Sequence, residues 1–195
     1  MPVKDKQKEM EALRAAITRA CLGAPALRGA VPVFGSGPVP CTVMIVGEAP
    51  GRDETRLGVP FVGKAGRYLV SVLMDVFGEG REGFYITNVV KVWPTIETKR
   101  RKTRKPTAEE EGLFRPFLEE EISIVAPRAI IAVGKTAFAA LAPGREFTPG
   151  AWVEPDGVPI MPVYHPSYLL RRQKSLEEAT ERFKTALREV KKKAR

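Results

Sequence analysis

The sequence predicts an α/β protein: a three-layer α/β/α arrangement around a central four-stranded parallel sheet. Three observations carry that prediction. Four short apolar runs, at 42–46, 84–90, 129–133 and 160–164, read as strands buried on both faces. Segments with helical spacing separate them, and alternation of this kind gives parallel strands with helices on either side. The residues least suited to a core collect where open sheets of this class receive ligands: the turn at 47–51 after the first run, Asn88 within the second, and His165 directly after the fourth.

Each element has its own signal. Met10, Leu13, Ala16, Ile17 and Ala20 recur at helical intervals and predict a first helix over 4–20. The Gly- and Pro-rich stretch 23–40 reads as an irregular crossing. Strand one ends in the turn at 47–51, and a helix over 64–77 follows with Leu69, Val72, Leu73 and Val76 inward. The second strand leads to a basic loop at 99–105. Just past Pro106, Thr107-Ala108-Glu109-Glu110 is a capping box that starts a helix, which Pro116 is expected to kink or to mark in its early turns. Strand three is closed by Gly134 and a helix near 136–141. Strand four is weakened by Pro162, which cannot donate to a ladder. Ser175-Leu176-Glu177-Glu178 caps a final helix whose inner face is Leu176, Ala179, Phe183, Leu187 and Val190.

The 195 residues give room for one ordinary domain, taken as 1–195. With 44% hydrophobic and 28% charged residues, the balance is that of a soluble globular protein. Apolar runs such as 129–133 are too short to cross a bilayer, and the charged stretch 4–9 leaves no secretory apolar region near the N-terminus. Cys21 and Cys41 form neither a disulfide framework nor a zinc-ligand spacing, so a cytoplasmic setting is expected. The 32 Lys and Arg outnumber the 23 Asp and Glu, a net charge of +9 that favours a polyanionic partner such as nucleic acid, or else marks a merely basic soluble protein.

Several residues are suited to chemistry. His165 is the only histidine; standing alone it would be taken as structural. Here it opens His165-Pro166-Ser167-Tyr168-Leu169-Leu170-Arg171-Arg172, in which Pro166 rigidifies the turn, Ser167 suits a phosphate oxygen and the arginines suit a nucleic-acid backbone. One of Leu169 and Leu170 can serve as an apolar wedge in a base stack, and the other belongs to the core. Gly47-Glu48-Ala49-Pro50-Gly51 offers backbone N–H groups and, with Glu54, two carboxylates. Phe61, framed by Gly58 and Gly63, either stacks on a planar base or packs in the core. Asn88 interrupts an apolar strand, and an unpaired buried carboxamide costs about 1–3 kcal/mol, so it needs a partner: the main chain, or a pyrimidine edge that its amide matches with donor and acceptor side by side. Lys99, Arg100, Arg101, Lys102, Arg104 and Lys105 put six positive charges in seven positions, either a solvated loop or a phosphate-binding one.

Taken in order, Gly47-Glu48-Ala49-Pro50-Gly51, Glu54, Gly58–Phe61 with Val62-Gly63-Lys64-Ala65-Gly66, Thr87-Asn88-Val89-Val90-Lys91 and His165–Arg171 resemble the uracil-DNA glycosylase superfamily, closest to its bacterial and archaeal family 4. The similarity runs from about Val33 to Arg172. It implies that Phe61 stacks on an extruded uracil, that Asn88 reads its edge within a pocket begun by Gly47 and Ala49, and that His165 stabilises charge on the departing base. It further implies that Glu48 or Glu54, with Glu54 favoured, handles water or supports the sugar cation. Pro50, Gly51 and Ser167 would hold phosphates, and Leu169 would fill the vacated stack.

One departure matters. Family 4 ties a four-iron four-sulfur cluster with four cysteines, whereas this chain keeps at most one of the first pair, at Cys21, and has Val92 and Phe114 at the positions of the third and fourth. No cluster is expected; Val92 and Phe114 are expected to form an apolar plug. A related subtype bonds covalently to uracil-DNA through a histidine in a Lys-Arg-Arg loop, but Thr103 stands in that place here.

The expectation is therefore a monomeric, monofunctional glycosylase acting on DNA that contains uracil, with no membrane partner and no cofactor. The alternatives are a glycosylase for another deaminated base, xanthine or hypoxanthine, and a catalytically silent DNA-binding module on the same fold.

Overall fold

A computed structural model describes residues 3–96, 102–155, 157–171 and 176–194. Four parallel strands form its central sheet: β1 (Val43–Gly47), β2 (Tyr85–Asn88), β5 (Ala129–Val133) and β6 (Ile160–Val163), in the spatial order β2-β1-β5-β6. The register pairs Gly47 with Asn88, Met44 with Ile130, and Ala132 with Pro162. Pro162 is harmless because β6 is an edge strand, where a missing donor faces outward. Both edges are blunted by isolated bridges, Ser36 to Ile86 on one side and Val153 to Ile160 on the other.

Helices cover both faces. Side chains alternate along β1, with Met44 and Val46 in one core and Val43 and Ile45 in the other. The first core lies under α1 (Val3–Gly23), α4 (Ala108–Val125) and α5 (Lys135–Leu141); the second lies under α3 (Lys64–Phe77) and α7 (Leu176–Ala194). The expected three-layer class is what is found. In α4 the capping box is formed, Thr107 Oγ1 accepting from the Glu110 N–H and the Glu110 carboxylate from the Thr107 N–H, and Pro116 is carried inside the helix.

Besides two 3-10 turns, Pro25–Leu27 and Arg81–Gly83, three features were missed by the sequence reading. Two are six-residue helices next to chemical motifs, α2 (Arg52–Leu57) and α6 (Pro166–Arg171). Neither is long enough to show a helical period. The third is a hairpin of two-residue strands, β3 (Thr95–Ile96) and β4 (Lys102–Thr103), at the base of the basic loop. Lys99, Arg100, Arg101 and Arg172 lie outside the described residues.

The strand order creates a switch point. From β1 the chain moves through α3 to β2 on one side, and from β5 it moves through α5 to β6 on the other. The crevice between the carboxyl ends of β1 and β5 is where such sheets bind ligands.

Candidate active site

A cavity of about 500 Å³ opens there. Eleven expected residues line it: Glu48, Ala49, Pro50, Gly51, Glu54, Phe61, Asn88, Arg104, His165, Ser167 and Arg171. Three of the four strands, β1, β2 and β6, supply lining residues at or just past their carboxyl ends. Glu48 follows β1, Asn88 ends β2 and His165 follows β6, while Thr136 lies in the first turn of α5 after β5. Glu48 and Thr136 meet across the switch point, the threonine hydroxyl donating to Glu48 Oε2 at 2.5 Å. Thr136 carried no motif signal, and only the fold brings it to Glu48.

Gly47 forms the wall rather than the lining. A methyl group placed on it would collide with Asn88 Oδ1 and the Phe61 ring, so glycine lets both side chains close over β1. Phe61 is non-glycine at φ 54°, a sparsely populated conformation held by its surroundings. Part of that hold is Gly66 in the first turn of α3, where a Cβ would run into the Phe61 backbone. The Phe61 ring stands 6.3 Å from the His165 ring at 30°.

Glu54 holds this loop together. Its Oε1 accepts the N–H groups of Val62 (3.0 Å) and Gly63 (2.7 Å), and its Oε2 that of Gly51 (3.1 Å). Of the two carboxylates expected to handle water, with Glu54 favoured, Glu54 is the more fully committed to the main chain. With three main-chain donors on its two oxygens, Glu54 is a brace for the α2 region, while Glu48 carries one hydroxyl bond. The Gly51 N–H, expected on a phosphate, is taken by Glu54.

His165 is fixed at one nitrogen. Its Nδ1 accepts the Ser167 backbone N–H at 3.2 Å and lies 2.7 Å from the Ser167 hydroxyl. An Nδ1 that accepts a main-chain proton leaves the neutral ring's own proton on Nε2. Burial pushes the imidazole below its ordinary range; the Glu48 charge opposes that shift and Arg171 reinforces it. Gly134, at φ 93°, passes so close that a Cβ would sit 3.2 Å from His165 Cβ, and a side chain there would displace the histidine. Ser167 is thus a support for His165 more than an open phosphate ligand.

Two further expectations need correction. Leu169 is fully buried in the second core, because the one and a half turns of α6 rotate it inward; Leu170 is only partly buried. Arg104 lines the cavity but is clamped to Glu110 by a two-pronged ion pair of 2.6 and 2.7 Å. Sequence reading also missed a buried network behind Asn88. Lys91 Nζ, fully buried, donates to the Asn88 carbonyl oxygen (2.7 Å), Thr87 Oγ1 (2.8 Å) and Glu121 Oε2 (2.6 Å). Tyr85 donates to the other Glu121 oxygen at 2.7 Å, and burial with that neighbouring charge holds its hydroxyl far above the usual range. Lys91 was quoted within a motif, but nothing in the sequence indicated that Glu121, 30 residues on, would be its partner.

The positions corresponding to iron–sulfur ligands do not suit a cluster. Cys21, Val92 and Phe114 all belong to the first apolar core, and burial pushes the Cys21 thiol up, away from the thiolate that iron requires. Among the described residues no group of three or more His, Cys, Asp or Glu is arranged to hold a metal, and no helix is long and apolar enough to cross a membrane.

The family model described as Uracil DNA glycosylase superfamily matches residues 34–191. The chain is 37% identical over 148 residues to a type-4 uracil-DNA glycosylase of Thermotoga maritima, covering 72% of each chain. It is 33% identical over 165 residues to that of Archaeoglobus fulgidus, covering 78% of each. With the enzyme of Pyrobaculum aerophilum it shares 44% identity over 107 residues, 55% of this chain and 50% of the other.

Proposed function

The chain belongs to the uracil DNA glycosylase superfamily, and from that premise we propose that it excises uracil from DNA as a monofunctional enzyme, leaving an abasic site. What supports this reading is the convergence of Glu48, Phe61, Asn88 and His165 on one cavity at the switch point of the sheet. The relatives named above as type-4 uracil-DNA glycosylases support the choice of base.

In this proposal the target nucleotide swings out of the DNA, at a cost of a few kcal/mol, and its base enters against Phe61. Asn88 presents a carboxamide to the pyrimidine edge, where uracil carries one acceptor and one N–H side by side. As the bond between the sugar C1′ and base N1 breaks, its electron pair passes into the ring and negative charge gathers on the uracil oxygen. The neutral imidazole donates to that oxygen from Nε2, a preorganised contribution of roughly 10²–10³ in rate. Glu48 orients the attacking water, takes its proton as the new C1′–O bond forms, and offsets positive charge on the sugar. Glu54, Ser167 and Gly134 are positioning residues.

The test is an oligonucleotide with one deoxyuridine, incubated with the protein and then treated with alkali. Strand breaks at the deoxyuridine, absent before alkali, are expected. Tight binding with no break would instead support a silent DNA-binding module, and breaks confined to xanthine or hypoxanthine would support the other glycosylase reading.

A further inference from the structure

A second cavity, of about 290 Å³, lies behind the same wall. Arg104 lines both cavities, and the neighbours Glu54–Thr55 and Trp93–Pro94 each give one residue to one cavity and one to the other. The wall is therefore a single side chain thick at Arg104. On the far side the half-buried Trp93 indole is held from two directions. Its Nε1 donates to Thr103 Oγ1 at 2.9 Å, tying it to β4, and the Arg104 N–H donates to the Pro94 carbonyl at 3.1 Å, closing the hairpin base around it.

The electrostatics of this second cavity select against an anion in its interior. Arg104 is neutralised by the bidentate Glu110 carboxylate, which also accepts the Thr107 N–H, so the guanidinium is not free to bind phosphate. Arg28 is the exposed cation of the lining. A neutral inner wall, a fixed aromatic face and one exposed guanidinium match a nucleobase inside with its phosphate outside. Aromatic faces hold bases of any identity, and arginine adds a backbone contact.

We propose that this cavity is a subsite for a base of the substrate strand flanking the extruded nucleotide, with Trp93 as its stacking platform. The inference rests on the reading of the first cavity as the uracil pocket. The strand would be gripped on both sides of the Arg104 wall, one base in each cavity. Such a grip requires a neighbouring base free of its own stack, so it favours single-stranded over duplex substrate.

The chain has two tryptophans, Trp93 and Trp152. Trp152 packs against the second core, away from both cavities, and Trp152→Phe leaves Trp93 as the only indole reporter. Fluorescence of this variant is titrated with deoxyuridine oligonucleotides in which a base-free tetrahydrofuran residue replaces, in turn, each of the two nucleotides on either side. Uracil release is measured on the same strands. Quenching by the unmodified strand is expected, with loss of quenching and an increase in KM on the order of tenfold when one flanking base is removed. Trp93→Ala is expected to raise KM for the unmodified strand by the same factor and to be indifferent to that base deletion. Uracil release with quenching unchanged at all four deletions, or with no quenching at all, would overturn the subsite. Quenching that depends on one base without any uracil release would keep the subsite for a bound strand and reject the uracil-excising reading instead.

Discussion

At the floor of the cavity, Asn88, Glu48 and His165 sit on strand ends and are braced by completed hydrogen bonds, with the wholly buried Lys91–Glu121 pair directly behind. At the rim, Lys64, Lys105 and Arg171 are exposed. On the proposed function the two regions divide the work. A floor group misplaced by an ångström disturbs the chemical step, because its partners cannot follow in a packed interior. A rim charge acts through its field, so its loss is felt in affinity and in salt dependence. Arg104 stands between them, in the rim by sequence but committed to Glu110 like a floor residue.

The sharpest way to break this division is to attack the floor from behind. Lys91→Met strands the Glu121 carboxylate in the core and should cost about 3–5 kcal/mol, a fall of roughly 10 °C in Tm, whereas adding Glu121→Leu should recover most of it. Equal melting of Lys91→Met and the parent protein would show that this pair does not brace the floor. His165→Ala comes next, with kcat for uracil release expected to fall about 10²–10³-fold and KM to change little; matching losses in both would assign the imidazole to ground-state binding. The pH profile sharpens the same point. Because burial depresses the folded-state pKa, the neutral donor should persist below pH of about 6.5 and the acid limb of activity should fall beneath that value. The matching contribution to stability is full above about 6.5 and is lost as pH drops through the lowered folded value, since the unfolded chain protonates first.

The two carboxylates of the first turn offer a smaller contrast. Glu54→Gln should lower stability by about 1–2 kcal/mol, because an amide cannot accept from three N–H groups as a carboxylate does. Glu48→Gln should lower kcat with its melting curve near the parent's. The reverse pattern in melting and rate would return Glu54 to the chemical step. Least of all, Lys105→Ala and Arg171→Ala should each reduce the slope of log affinity against log salt by about one, and Arg104→Ala by less, because its charge is already paired. An equal reduction at Arg104 would mean that DNA opens the Glu110 pair.

The first turn and the last motif show how far the sequence reaches. Asn88 was legible because a carboxamide in an apolar strand demands a partner, and His165 because it follows a strand in an ordered set of motifs. Leu169 was misassigned because a helix of six residues gives no period from which to tell its inner side. The hydrogen bonding of Glu54 was hidden for a related reason. In one dimension a carboxylate near a glycine turn looks free, and only coordinates reveal three main-chain donors aimed at it.

What the sequence alone determined was the class of fold, the carboxyl ends where function gathers, and the unsuitability of Val92 and Phe114 as cluster ligands, since side-chain chemistry and local period are properties of the chain itself. The tertiary structure decided which carboxylate is tied to the main chain, which leucine is core, which arginine is already paired, and that Lys91 and Thr136 buttress Asn88 and Glu48. These are questions of direction and neighbourhood between residues far apart in sequence, and a hydrogen bond is satisfied in space, whatever the distance along the chain.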